Sequence, residues 1–198
     1  MSPPAWPKNL RAKNVRQHHA AFVEQIEIAA SANQTRPLTR DAVVSLREIT
    51  KDSVRAIVFL DVLPHQEMLV APNAVSIAQA YFYPEAWFRA IYADETPVGF
   101  AMLEDWTQVA DVLPHFYNCE QYVALWRFMI DARYQQLGYG AQALKLLIAH
   151  AKTRPNVTIM TLSFVPADKN PEGFYARHGF ARTGEMDDDE VVMALRLA

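Results

Sequence analysis

The stretch VALWRFMIDARYQQLGYGAQALKLLIAHA, residues 123–151, decides the fold of this chain. Its first part, residues 123–130, is apolar except for Arg127, which predicts a strand buried on both faces. Residues 135–140 predict a short turn with two glycines, and from Gly140 to Ala151 apolar residues recur at helical spacing. A helix start leaves backbone N–H groups without partners, and glycine lets another group approach the backbone closely. The strand, turn and helix therefore predict a place that can hold a phosphate.

The glycine turn is also compatible with other roles. A plain connector between a strand and a helix is common in α/β proteins, and these residues alone leave that interpretation open. Residues 138–143 fit the loose G-x-G-x-x-G/A fingerprint of dinucleotide-binding proteins, but the next predicted strand, residues 157–164, ends without the acidic residue that fingerprint requires. An ATP-binding phosphate loop needs Gly-Lys-Ser/Thr, and no such triplet follows. Both nucleotide-binding interpretations are therefore disfavoured.

The composition limits the class of protein. The 198 residues are 51% hydrophobic and 21% charged, which suffices for one well-cored domain with a small extension. A formal net charge of -3 gives no reason to expect nucleic acid as a partner. The single cysteine, Cys119, excludes an intrachain disulfide and is expected to be a small packed residue. No apolar run is long enough to span a membrane, and the basic N-terminus is poor in serine, so we expect a cytoplasmic protein.

The remaining pattern predicts a mixed α/β domain over residues 41–198, preceded by an extension over residues 1–40. The extension contains a predicted amphipathic helix, residues 14–30, and a polar linker, residues 31–41. A loop with aromatic residues is predicted at 107–120. The further predicted strands are residues 43–49, 87–93, 97–104, 157–164, 180–184 and 190–197. The further predicted helices are residues 52–59, 65–69, 73–82 and 171–177.

Two motifs carry a resemblance to a known family. Residues 135–140, Gln-Gln-Leu-Gly-Tyr-Gly, match Q/R-x-x-G-x-G/A, the pyrophosphate-binding motif of the GNAT superfamily of N-acetyltransferases. Residues 170–180, Asn-Pro-Glu-Gly-Phe-Tyr-Ala-Arg-His-Gly-Phe, resemble its second motif, a helix ending in F/L-Y-x-x-x-G-F. The resemblance covers residues 43–197 and is closest to the diamine and spermidine acetyltransferase branch, through residues 44–50, 66–67, 70–73, 76–80, 98–102 and 126–131. It implies a central, mostly antiparallel sheet with one splayed pair of parallel strands, flanked by helices.

The resemblance implies an activity and its partners. The expected reaction transfers an acetyl group from acetyl-CoA, the co-substrate, to a primary amine of a small molecule, with polyamines such as spermidine as candidates and with direct attack in a ternary complex. The alternative is a non-catalytic acyl-CoA-binding or regulatory module with the same fold. Neither a metal, nor nucleic acid, nor a membrane is expected. A homodimer is predicted, because small family members often pair and because the N-terminal helix has an apolar stripe of Phe22, Val23, Ile26 and Ala29.

The resemblance also assigns cofactor-binding residues. The edge of the strand at Phe128, Met129 and Ile130 would pair with the pantetheine amides. The N–H groups of the turn would bind the pyrophosphate, through Gln135, Gln136, Leu137, Gly138, Tyr139, Gly140 and Ala141. The turn departs from the family pattern, because Gln135 replaces a frequent Arg and because Gln136 and Leu137 stand where Gly and Lys are usual. A charged contact to the cofactor from position 137 is therefore lost.

Proton transfer is assigned in the same way. Tyr175 matches the family tyrosine that contacts the cofactor and protonates the leaving thiolate, and its alternative role is that of a packed aromatic. Asn170 is expected either to contact the cofactor or to cap the helix that follows it. An amine with a pKa near ~10 must lose a proton before it attacks, and Glu120 is the predicted base. Glu67, Glu104 and Asp105 are predicted substrate-binding residues. Each of them, like Glu120, could instead take the proton directly or through water, and a solvated surface acid is the alternative for each. His115 and His178 are further base candidates, but we expect His178 to cap the end of its helix.

Overall fold

The computed structural model describes residues 37–108, 122–167 and 170–197, and within them seven strands form one sheet. The strands are β1 (Val44–Arg47), β2 (Ala86–Ala93), β3 (Thr96–Asp105), β4 (Tyr122–Ile130), β5 (Ile159–Phe164), β6 (Ala181–Asp187) and β7 (Glu190–Arg196). The α-helices are α1 (Val54–Val58), α2 (Asn73–Ala80), α3 (Tyr139–Lys152) and α4 (Glu172–Ala176). Short 3₁₀ helices lie at Pro64–Gln66, Trp106–Gln108 and Ala132–Tyr134. The predicted N-terminal helix, Cys119 and most of the predicted aromatic loop lie outside the described residues.

The sheet has the order β1-β2-β3-β4-β5-β7-β6, and every neighbouring pair is antiparallel except β4 and β5. The parallel pairing runs from Tyr122 opposite Ile159 to Leu125 opposite Leu162 and then stops. Beyond that point β4 continues to Ile130 with β3 as its neighbour, and β5 continues with β7. The predicted mixed, mostly antiparallel sheet with one splayed parallel pair is therefore confirmed.

A β-bulge marks the place where β4 leaves β5. Met102 of β3 faces Arg127, whereas the next residue, Leu103, faces Leu125, so Trp126 has no opposite residue. A bulge bends its strand and increases the local twist, and this one directly follows Leu125, the last residue of β4 that pairs with β5. The close approach of β3 is kept at Gly99, where a Cβ atom would lie 2.4 Å from the carbonyl oxygen of Met129.

Helix α3 buries the apolar stripe that the sequence predicts. Ala143, Leu144, Leu147 and Ala151 are fully buried in one core cluster, on the side of the sheet that also holds Leu103, Val123 and Leu125. A second cluster contains Ile57 of α1 with Phe100, Met102 and Met129 of the sheet. The two clusters cover opposite faces, because residues along β3 and β4 alternate between them.

Several boundaries differ from the prediction. Residues 65–69 do not form an α-helix, since a single 3₁₀ turn at Pro64–Gln66 takes their place. Strand β6 does not end at Gly184, which has a φ of 89° inside an irregular pairing with β7. Strand β4 is not buried along its whole length, because Trp126, Arg127 and Phe128 are only half-buried. Leu38, placed by the prediction in the linker, packs against the first core cluster. Within the described residues, no helix is long and apolar enough to cross a membrane.

Candidate active site

A cleft of about 1370 Å³ opens where β4 and β5 diverge. Its lining includes the turn before α3 and, from helix α4, Phe174 and Tyr175. Glu104 of β3 and the tip of the β6–β7 hairpin also line it. Residues 66–72, between α1 and α2, form a further wall. The splayed strands therefore open a single long cavity that reaches the predicted phosphate turn.

The turn before α3 has the backbone conformation that an anion site needs. Gly138 is the N-cap of α3 with a φ of 89°, and a Cβ atom on it would meet nothing within 4 Å. Gln136 also has a positive φ, 63°, so it adopts the left-handed conformation although it is not glycine. The first hydrogen bond of the helix is donated by Gln142 to the carbonyl of Gly138, at 3.2 Å. The N–H groups of residues 138–141 therefore have no acceptor within the helix, and the helix dipole favours an anion there.

The side chains of this turn are used for structure. Gln135 donates from Nε2 to Oε1 of Gln66, at 2.8 Å, and to the carbonyl of Ile130, at 2.9 Å. Tyr139 is buried, and its hydroxyl donates to the carbonyl of Thr39 at 2.7 Å. Leu137 packs against the first core cluster. These residues can thus serve a phosphate only through their backbone.

The C-terminal half of β4 forms the wall of the cleft next to this turn. Phe128, Met129 and Ile130 line the cleft at a level where β4 no longer pairs with β5. The strand end is held by Asp131, whose carboxylate accepts from the N–H groups of Asp61 and Arg133, both at 3.0 Å. A strand edge without a neighbouring strand can pair with the amides of an extended ligand. The open edge therefore fits the pantetheine arm that the sequence resemblance predicts.

Tyr175 lies on α4 and is 8% exposed. Its ring contacts Phe174 and Phe180 edge-on, with centroids 5.2 and 5.9 Å away, and it lines the cleft. Its hydroxyl has no hydrogen-bond partner among the described residues. Burial raises the pKa of Tyr175 further above its ordinary value, so the hydroxyl keeps its proton at neutral pH.

Acidic side chains from β3 and from the β6–β7 hairpin gather in the cleft. Glu104 lines it as predicted, together with Asp187, Asp188 and Glu190 of the hairpin. Burial raises the pKa of Glu104, and the negative charges of Glu85 and Asp187 add to the rise. The nearby Trp106 indole and Arg127 guanidinium lower this pKa, but the net shift is upward. Partial burial, Asp188 and Glu190 raise the pKa of Asp187. The sequence analysis did not predict the three hairpin residues as substrate-binding residues, because the sequence pattern shows them only as a polar turn. Predicted Glu67 also lines the cleft, on the wall between α1 and α2.

Other predicted site residues lie elsewhere or have a structural role. Asp105 is only 2% exposed, and it forms an ion pair with Arg154 outside the cleft, so its predicted contact with substrate is not supported by its position. Asn170 accepts from the N–H of Glu172 and donates to the carbonyl of Ala167, both at 3.0 Å, directly before Pro171, the N-cap of α4, and its contact with the cofactor stays a prediction.

His178 donates from Nδ1 to the carbonyl of Phe174 at 2.8 Å, as expected for a residue that caps the end of its helix. Glu120 and His115 lie outside the described residues, so their roles as base candidates stay predictions. Among the described residues, no group of three or more His, Cys, Asp or Glu side chains is arranged to hold a metal ion.

Comparison with known proteins identifies the family. The sequence model of the Acetyltransferase (GNAT) family matches residues 55–180, well over half of the chain. The chain belongs to the GNAT acetyltransferase family. It is therefore an N-acetyltransferase with acetyl-CoA as co-substrate, and nothing in the comparisons supports a non-catalytic module.

Relatives and solved structures agree with this assignment. This GNAT acetyltransferase is 29% identical to the spermine/spermidine N(1)-acetyltransferase of Bacillus subtilis (strain 168), over 161 residues that cover 78% of the chain and 99% of the relative. The structure of AAC(6')-Ib in complex with ribostamycin and coenzyme A matches it with a TM-score of 0.62 at 16% identity, covering 77% of this chain and 93% of that one. A GNAT family acetyltransferase from Elizabethkingia anophelis with acetyl-CoA bound matches with a TM-score of 0.55 at 12% identity, covering 79% and 99%. These structural matches show the shared fold.

Proposed function

We propose that this GNAT acetyltransferase acetylates a primary amine of a small polycation, such as spermidine, by direct attack while both substrates occupy the cleft. The observation that carries the proposal is a group of acids that line the cleft, Glu104, Asp187, Asp188 and Glu190, which outnumber the one cation beside them among the described residues, Arg127. A polyamine has several ammonium groups at neutral pH, and carboxylates in a partly enclosed site attract each of them. The name of the Bacillus subtilis relative supports the same substrate class.

The cleft also has groups that suit the parts of acetyl-CoA. The N–H groups of residues 138–141 would bind its pyrophosphate, and the open edge of β4 at Phe128, Met129 and Ile130 would bind its pantetheine arm. Acetyl-CoA supplies an acetyl group activated as a thioester. Gly138 suits this role because its surroundings are open and its backbone is left-handed. The acids line the same cleft, as a ternary complex requires.

Glu104 and Tyr175 are the proposed proton-transfer residues. Glu104 would take a proton from the ammonium group directly or through water, and a raised pKa makes its carboxylate a stronger base. Tyr175 would act as the general acid, because its phenol holds a proton inside the cleft at neutral pH. Glu67 would contribute to binding of the acceptor from the wall between α1 and α2. Glu104, Tyr175 and Glu67 line the same cavity, so Glu104 can take the ammonium proton and Tyr175 can protonate the leaving thiolate within one ternary complex.

A panel of amines tests the substrate class. Purified protein is incubated with acetyl-CoA and spermidine, spermine, 1,4-diaminobutane or butylamine, and free thiol is measured. Butylamine matches the diamine in length and lacks only the second ammonium group. We expect kcat/KM to be about tenfold or more higher for the diamine, since a hydrogen bond to a charged group contributes about 1.5–3 kcal/mol. Equal rates for both amines, or acetylation of monoamines alone, would contradict the proposal.

We also propose a homodimer that acts in the cytoplasm. The support for the dimer is the apolar stripe predicted within residues 14–30, which needs a surface to pack against. The helix predicted within the extension over residues 1–40 would then serve assembly, and the domain over residues 41–198 would hold the proton-transfer residues.

A further inference from the structure

We infer that Arg40 is a cofactor-binding residue whose guanidinium pairs with a phosphate group of CoA. The inference rests on acetyl-CoA being bound at the turn before α3. Arg40 precedes β1, in a segment that the sequence pattern predicts to be a linker and that neither family motif includes. The structure brings this segment to the cofactor turn, and three observations support the role.

The backbone on both sides of Arg40 is fixed to the domain. Leu38 packs against the first core cluster, and the carbonyl of Thr39 accepts from the hydroxyl of Tyr139, at 2.7 Å. The same carbonyl accepts from the N–H of Ala42, at 3.1 Å. Tyr139 is the first residue of α3, so these contacts hold the segment against the start of that helix. Arg40 is therefore placed beside the turn by packed neighbours.

The side chain of Arg40 reaches the turn itself. Its Nη2 donates to the carbonyl of Gln136, at 3.4 Å, two residues before Gly138. Arg40 is exposed, and it forms no ion pair with any acid of the described part of the chain. A guanidinium has five N–H donors in a planar fork that suits phosphate oxygens, and a single bond to a carbonyl leaves most of them available. The group can therefore keep this contact and also bind a phosphate.

The turn lacks a positive charge of its own. Its sequence has the neutral Gln135 and Leu137, and both side chains are engaged elsewhere, in the hydrogen bonds to Gln66 and Ile130 and in the core. Arg133, which precedes the turn, is paired with the carboxylate of Asp131, with Nε 2.8 Å from Oδ1. Phosphates bound by N–H groups alone gain further from a nearby cation. Arg40 supplies that cation from a distant position in the sequence.

The test measures affinity, so it is independent of catalysis. Calorimetry gives the Kd for CoA, for 3′-dephospho-CoA and for pantetheine, with the parent protein and with Arg40→Gln, Arg40→Lys and Lys152→Gln. Arg40→Gln removes the charge but keeps a donor, and Arg40→Lys restores the charge. Lys152→Gln is the matched control, because it removes an exposed cation at the other end of α3, about 20 Å away and beyond the screening length at physiological salt.

We expect Arg40→Gln to weaken CoA binding by about threefold to tenfold, with less effect at high salt. Arg40→Lys and Lys152→Gln should bind within about twofold of the parent. If Arg40→Gln binds CoA more weakly than the parent but binds 3′-dephospho-CoA equally well, Arg40 pairs with the 3′-phosphate. If Arg40→Gln binds both of these ligands more weakly and only pantetheine equally well, Arg40 pairs with the pyrophosphate.

Two results would overturn the inference while leaving the proposed function intact. The first is equal CoA affinity of parent and Arg40→Gln, and the second is an equal loss with pantetheine, which has no phosphate. If the parent itself failed to bind CoA, the cofactor site would be wrong and the role of Arg40 with it. Thermal unfolding confirms that the variants are folded, as expected for an exposed side chain.

Discussion

Replacement of Tyr175 by phenylalanine removes one oxygen atom from a residue that is 8% exposed. The hydroxyl has no hydrogen-bond partner among the described residues, so its loss leaves no polar group unpaired. The ring contacts with Phe174 and Phe180 do not involve the oxygen and should persist. We therefore expect the free energy of unfolding to change by no more than about 1 kcal/mol.

The catalytic effect of Tyr175→Phe should be much larger. Loss of one general acid typically lowers kcat by about 10²–10⁴-fold, which corresponds to about 2.7–5.5 kcal/mol of transition-state stabilisation. KM for acetyl-CoA should change little, because the lost interaction is made mainly in the transition state. Burial raises the pKa of Tyr175, so its hydroxyl stays protonated. Ionisation of this residue should therefore not lower kcat of the parent below about pH 10.

The assay is steady-state release of thiol with the best amine, together with pre-steady-state measurements that establish that chemistry limits the rate. Tyr92→Phe is the control, because Tyr92 lies on β2 outside the cleft and should tolerate the same change. Turnover of Tyr175→Phe within about threefold of the parent, with chemistry limiting, would refute the role of general acid. Tyr175 would then be a packed aromatic, and water or another side chain would supply the proton.

Three further predictions concern the turn, the base and the assembly. Gly138→Asp should weaken CoA binding by at least about tenfold, because it places a carboxylate beside the pyrophosphate. Gly184→Asp is its control, with the same φ of 89° and open surroundings on β6, and unchanged CoA affinity in folded Gly138→Asp would rule out the site. For Glu104, the ionised form is the base, so activity should fall as pH drops through a pKa above the ordinary carboxyl value. Glu104→Gln should lower kcat about 10²-fold or more and should no longer show this fall in activity at low pH. If the variant still shows the fall, Glu104 is not the base. Light scattering should give twice the monomer mass at micromolar concentrations, and removal of residues 1–36 should give monomers; a full chain at the monomer mass would contradict the homodimer.

Local features of the sequence were enough to predict the strand, turn and helix at the centre of the fold. Alternation, helical spacing and glycine act over a few residues, so residues 123–151 specify β4, the turn before α3 and α3 itself with little help from the rest of the chain. The two family motifs then predicted the splayed sheet and the place of Tyr175. Gln136 stands where the family usually has glycine, and the structure shows that it nevertheless adopts a positive φ.

The choice among the acidic residues needed the tertiary structure. Glu104 and Asp105 are neighbours on β3, and one side chain lines the cleft while the other pairs with Arg154 on the opposite face. Period-two alternation predicts that they diverge, but which one faces the cleft depends on what covers each face.

The same limit applies to residues that meet from distant parts of the chain. Asp187, Asp188 and Glu190 join Glu104 only because β7 pairs with β5, and Arg40 reaches Gln136 only because Leu38 and Thr39 pack against the start of α3. These contacts depend on strand order and side-chain packing between segments about 80 to 100 residues apart, for which a local pattern contains no information.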